Sequence, residues 1–274
     1  MARPWIEFVQ SQNIPWAESD IGGLRPGVAV RVLSQDAETN AVSMVVRYPA
    51  GFTAACAALS VDEEFLVLEG DLMAGDQRFG PLGYAHWPAG YSAGSLSSSN
   101  GAVVLLFFSG TPKPASNSVD YDLGRLVARV DAFETPYTGN FHPEFPVGAG
   151  RKLLFTDPAS GNTSWILGTM PLRWAARPEL HPVVEEMYLI SGEVHGNCGV
   201  MRPGAYFWRP PGKEHGPYGT LTGNVYFFRT AGGPLSTEYV DSSTSFAWWP
   251  PYAPILPPEL EIARGESAPG PRNW

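Results

Sequence analysis

The sequence predicts an all-β protein built from two copies of one β unit. Three observations carry this. Gly 30 and Pro 27 make up about a fifth of the 274 residues, and they fall as scattered turn dipeptides rather than in one block. Apolar runs of strand length recur between those turns. The pattern of the first half also returns in the second half at a nearly fixed offset of 122 residues.

In chain order, residues 1–27 are irregular and carry Trp5, Pro15, Trp16 and Pro26, which reads as an N-terminal arm. Strands are expected at 28–33 and 42–48, joined by the polar turn Gln35 to Asn40. Others are expected at 65–68, 72–73, 84–87 and 103–108. Residues 28–113 thus form a first barrel. Residues 114–146 begin with a Pro/Ser/Asn run and read as a linker, in which 120–130 is either a short helix or extended. Residues 147–246 form the second barrel, with strands at 152–155 and 165–170 around the turn Asp157 to Asn162. Residues 247–274 are a Pro-rich tail that opens with Trp248 and Trp249 and runs extended as a structural clamp. The repeat equates Glu63 and Glu64 with Glu185 and Glu186, Gly70 with Gly192, Pro88 with Pro210 and Gly90 with Gly212.

Charge and composition exclude several function classes. The formal net charge is −9 and no Lys/Arg run occurs, so nucleic acid and anionic membranes are poor partners. The longest apolar run, 102–108, is too short to span a bilayer, and the N-terminus lacks the charged and apolar regions of a signal peptide. Cys56 and Cys198 make no disulfide framework and read as packing residues, consistent with a reducing cytoplasm. No phosphate loop, dinucleotide fingerprint, nucleophile elbow or CxxC is present.

The chemistry concentrates between Glu179 and His215. Glu179 and His181 share strand parity and can face one side. Glu185, Met187 and Leu189 alternate inward on the next strand, and His215 follows the turn Pro210-Pro211-Gly212. Imidazole and carboxylate donors without thiolate suit Fe(II), Mn(II), Ni(II) or Zn(II). Two His and one carboxylate with open positions is the donor class of non-haem iron oxygenases.

These spacings resemble the two motifs of the cupin superfamily, G-x5-H-x-H-x3,4-E-x6-G and G-x5-P-x-G-x2-H-x3-N. His181, Glu185 and Gly192 fit the end of the first; Gly204, Pro210, Gly212 and His215 fit the second. Glu179 stands where the first motif has its first His, and Gly219 stands where the second has Asn. The resemblance covers both halves, so the chain is similar to bicupins and to bacterial ChrR-like cupins. It implies two tandem jelly-roll barrels and a metal held by His181, Glu185 and His215. Glu179 is then either a fourth ligand, a catalytic base, or turned away. In the first copy Ala57, Leu59 and Ala93 replace Glu179, His181 and His215, so that barrel reads as a metal-free scaffold.

The resemblance implies a metal-dependent enzyme, in first place a dioxygenase with Fe(II) and a small organic substrate, with Mn, Ni or Zn as alternative ions. A non-catalytic sensor or ligand-binding cupin is the other reading. A homodimer is the expected assembly. Among the remaining candidates, His195 reads as a turn or surface residue with a site role as the alternative, and His86 as packing. His142 lies outside the motifs. Arg173 and Arg177 could pair with Glu179 or with an anionic substrate. Tyr188, Trp208 and Tyr218 read as packing.

Overall fold

The computed structural model describes residues 2–115, 120–139, 147–266 and 274. The chain divides into two compact units. The first contains residues up to Arg3 and Pro15–Thr135; the second contains Pro4–Ile14 and Pro136–Trp274.

Each unit is a sandwich of antiparallel sheets. In the first, the strands Gly83–Trp87, Glu63–Gly70, Ala102–Phe108, Val42–Tyr48 and Val28–Gln35 lie side by side in that order. In the second, Ala205–Arg209, Val184–Gly192, Asn224–Ala231, Thr163–Thr169 and Ala149–Thr156 repeat the order. The smaller sheets repeat too. Leu72–Ala74 pairs with Gln77–Phe79, and Val194–Gly196 with Gly199–Met201. This is the all-β, two-copy architecture expected, with the layering of a jelly roll.

The repeat reaches individual contacts. Tyr84 donates its hydroxyl to Glu64 and Tyr206 donates to Glu186, with oxygen separations of 2.8 and 2.6 Å. Asp36 and Asp157 each accept two backbone N–H bonds in equivalent turns. Gly70 and Gly192 adopt φ of +75° and +79°, and a Cβ at either would collide with the carbonyl of Gly101 or Gly223. Only glycine meets both demands at that bend.

Strand parity sorts the second core as expected. Met187 and Leu189 are buried with Phe207, Trp165 and Phe228, whereas Glu186 and Tyr188 face the other side. Glu185 shares the inward parity but is charged, which places a carboxylate at the end of an apolar column.

Two expectations are revised. The arm, residues 1–27, is divided between the units, and Ile6–Gln10 is a buried strand paired with Ala205–Arg209. Its five consecutive buried residues hide the alternation that marks a strand in sequence. In the linker, Leu123–Arg125 forms a 3-10 turn and Val127–Asp131 pairs with Gly83–Trp87, so residues 120–131 are sheet edge rather than spacer. The two strands occupy matching edge positions in their units. Residues 116–119 and 140–146, including His142, lie outside the described residues, as does 267–273 in the tail. The tail does clamp: Ile255 and Glu7 exchange backbone hydrogen bonds, and Tyr252 donates to Phe8 O while packing on the Phe8 ring. Both cysteines are free thiols. Among the described residues no helix is long and apolar enough to cross a membrane.

Gly192→Ala is expected to lower stability by more than about 1 kcal/mol, because it adds backbone strain to a collision with main chain. Thermal denaturation followed by circular dichroism checks this; an unchanged midpoint contradicts it.

Candidate metal centre

Four side chains converge at one end of the second unit. Val184–Gly192 carries Glu185 inward. Glu179 lies on the short strand Glu179–Leu180, and its backbone exchanges two hydrogen bonds with His215. Gly212 N donates to His181 O, so the Pro-Pro-Gly turn folds back against the first motif. Sequence distance is thereby cancelled, and His181 and His215 stand with ring centroids 5.0 Å apart.

His181 Nε2 lies 3.5 Å from Glu185 Oε1. His215 Nε2 lies 3.6 Å from Glu185 Oε2 and 3.8 Å from Glu179 Oε1. Donor atoms of Glu179, His181 and His215 all fall within 4.8 Å of one another. His181, Glu185 and His215 are buried, and the Glu179 side chain keeps 21% exposure at the mouth.

The tautomers follow from the outer partners. His181 Nδ1 is 2.8 Å from Ser236 O, and His215 Nδ1 is 2.9 Å from Lys213 O. A carbonyl can only accept, so each Nδ1 carries a proton, and in the neutral ring each Nε2 presents a lone pair. Both Nε2 atoms are buried without a hydrogen-bond partner among the described residues. Buried polar atoms are rarely left so. The 3.5–3.8 Å separations are longer than the roughly 2.7–2.9 Å of a charge-assisted hydrogen bond. They are close to the roughly 3.0–3.5 Å between neighbouring donors about 2.1 Å from one ion. Orphaned imidazole nitrogens, backbone-fixed tautomers and carboxylate oxygens fit a divalent metal.

A buried guanidinium lies behind the site. Arg209 Nη1 donates to Glu185 Oε2 at 2.7 Å, Nε donates to Glu7 Oε2 at 2.6 Å, and Nη2 donates to the Tyr218 hydroxyl. Burial opposes ionisation of Glu185, but His181, Arg209 and His215 outweigh it and hold its carboxyl far below the usual carboxylate range. Burial, reinforced by Arg209, brings His215 down to about 3. Burial would also lower His181, but Glu185 and Glu179 raise it to about 8. Desolvation raises Glu179 despite its place at the mouth, with His181 opposing.

A cavity of about 80 Å³ opens onto these groups. Its lining combines apolar Trp165, Leu167, Phe207 and Phe228 with Arg173, Tyr226 and Thr237 beside the His/Glu cluster; Tyr226 packs on Phe228.

The structure thus brings together Glu179, His181, Glu185 and His215. It moves Tyr218 from packing to the site through Arg209. Glu7 and Arg209 were missed. Arg209 shares the inward parity of Phe207 and replaces Trp87 of the first copy, a signal that was available; Glu7 gave none. His195 is corrected as well. It is fully buried rather than at the surface, held by Trp248 O and flanked by the rings of Trp248 and Trp249 from the tail. Arg177 lies over Tyr239 and 3.8 Å from Asp241, away from the cavity. His86 is buried and bonded to Arg125 O. In the first unit Glu63 pairs with Arg25, which also donates to the Tyr48 hydroxyl.

In metal-free protein, histidine NMR is expected to show His181 titrating near pH 8 and His215 staying neutral far into acid. The folded pKa of His181 exceeds the ordinary value of about 6.5. Its contribution to stability is therefore complete below that value and lost as pH rises through 8. A normal midpoint for His181 contradicts this. Arg209→Met strands Glu7 and Glu185 as buried unpaired charges and is expected to cost about 3–5 kcal/mol. Urea denaturation measures it, and adding Glu7→Gln to that variant should recover part of the loss.

Comparison with known proteins agrees with this geometry. Residues 137–234 match the family model of the ChrR cupin-like domain. No curated protein sequence matches the chain. A candidate dioxygenase from Nostoc punctiforme PCC 73102 superposes with a TM-score of 0.77 at 20% identity, covering 90% of this chain and 92% of that one. Oxalate decarboxylase from Bacillus subtilis superposes at 0.55 with 11% identity, covering 85% and 79%, and has Mn(II) centres. At such identities the likeness shows the fold, a two-barrel cupin fold, and the family match falls on the half that holds the His/Glu cluster.

Proposed function

We propose that the second unit binds one divalent metal, iron(II) by preference, and that the protein is a dioxygenase-like enzyme for a small organic substrate. His181, His215, Glu179 and Glu185 are the proposed ligands. The observation that carries the reading is the pair of buried, unpartnered Nε2 atoms aimed at carboxylate oxygens beside a cavity.

When bound, such an ion supplies the redox chemistry that the reaction of dioxygen with an organic substrate requires. The chain supplies the rest. Ser236 O and Lys213 O fix the imidazole tautomers. Arg209 keeps Glu185 ionised and holds Tyr218 against it. Glu179, more open than the others, closes the ligand set at the mouth where substrate enters. Trp165, Phe207 and Phe228 form a dry wall that excludes water from the substrate.

A sensor or ligand-binding role is the second reading, favoured by the match of residues 137–234 to the ChrR domain. Elemental analysis of protein purified without added metal, beside His215→Ala, separates the outcomes. Near one equivalent in the wild type and at least a ten-fold loss in the variant is expected. No metal in either sinks the metal reading. Bound metal with no oxygen uptake across a panel of small organic substrates favours the sensor.

A further inference from the structure

The proposed metal site also indicates what kind of molecule the cavity takes. Around it stand three ionisable carboxylates, Glu7, Glu179 and Glu185, and two guanidiniums, Arg173 and Arg209. With both imidazoles neutral and a divalent ion present, the enclosed groups carry one positive charge in excess. A net charge in a poorly solvated cavity is costly unless a counter-charge enters with the ligand.

The placement of Arg173 adds direction to this excess. It lies on Arg173–Trp174, paired through Thr220 to the smaller sheet, so its backbone is fixed. Its Nε donates to Val147 O at 3.1 Å, which sets the plane of the guanidinium. The side chain lines the same cavity as Glu179 and lies near enough to influence its ionisation. Burial keeps the Tyr226 hydroxyl protonated, so beside Arg173 it is a donor to an incoming anion. Trp165, Leu167, Phe207 and Phe228 complete the lining as an apolar surface, and Tyr226 packs on Phe228 so that its hydroxyl borders that surface.

We infer that the cavity takes a small monocarboxylate with an apolar body, its carboxylate directed to Arg173 and the metal side and its body against the aromatic wall. A planar carboxylate matches the fork of a guanidinium, and one negative charge cancels the excess. A neutral ligand leaves that charge buried, and a dianion overshoots it. This assignment rests on the metal-site reading above.

Calorimetric titration of the metal-loaded protein tests it, with metal content measured in every sample. The probes are benzoate against benzamide, and butyrate against acetate. Benzoate should bind at least ten-fold tighter than benzamide, and butyrate tighter than acetate. Arg173→Gln should keep its metal yet reduce the benzoate preference to about three-fold or less. Metal retained with benzamide equal to benzoate, with no measurable binding of either butyrate or benzoate, or with the preference intact in Arg173→Gln, overturns the substrate class and leaves the metal site standing. Absence of metal from the wild type removes both.

Discussion

The second unit depends on one buried guanidinium. Arg209 is taken out of water in a core that otherwise contains Phe207, Trp165 and Phe228. Its desolvation is offset only because Glu7 and Glu185 meet it with short, directed hydrogen bonds. That requirement fixes three things together. It holds Ile6–Gln10 on the sheet edge, it keeps Glu185 ionised beside two imidazoles, and it seats Tyr218 against the cavity. The orientation of the His/Glu cluster follows from a charge that lies one layer behind it.

The first unit meets a related problem differently. Glu63 occupies the place of Glu185, but Leu59 and Ala93 stand where the imidazoles would be, and both contribute to an apolar core. Trp87 takes the place of Arg209. The carboxylate is balanced by Arg25, reached from the stretch before the first core strand, whose guanidinium also lies against the rings of Tyr48 and Phe108. One unit closes its charge inside the protein. The other leaves two buried imidazole Nε2 atoms without a hydrogen-bond partner among the described residues, each set against carboxylate oxygens.

Much of this was legible in the sequence because it depends on short spacings. His181, Glu185 and Gly192 lie close together in the sequence, and the Pro-Pro-Gly turn sets His215. The 122-residue repeat survives as the same Tyr-to-Glu bond and the same left-handed glycine in both units. What was not legible depends on pairing at long range. Ile6–Gln10 is buried on both faces, so it shows no alternation. Glu7 gains meaning only across 202 residues, when it meets Arg209. His195 looked superficial because its cover, Trp248 and Trp249, comes from a tail with no periodicity of its own. Pattern reading recovers elements and local motifs; it does not recover which charge neutralises which.

The strand Ile6–Gln10 has a consequence for the order of assembly. Its partner strand Ala205–Arg209 and the Ile255 that bridges to Glu7 follow it only after the main stretch of the first unit, Pro15–Thr135, has intervened. Loop closure over such separations makes this pairing a late folding event. Until then Arg209 and Glu185 remain in water, where nothing holds them in register. The first unit can therefore be complete while the His/Glu cluster is still unassembled, because the contacts that build that cluster become available only later along the chain.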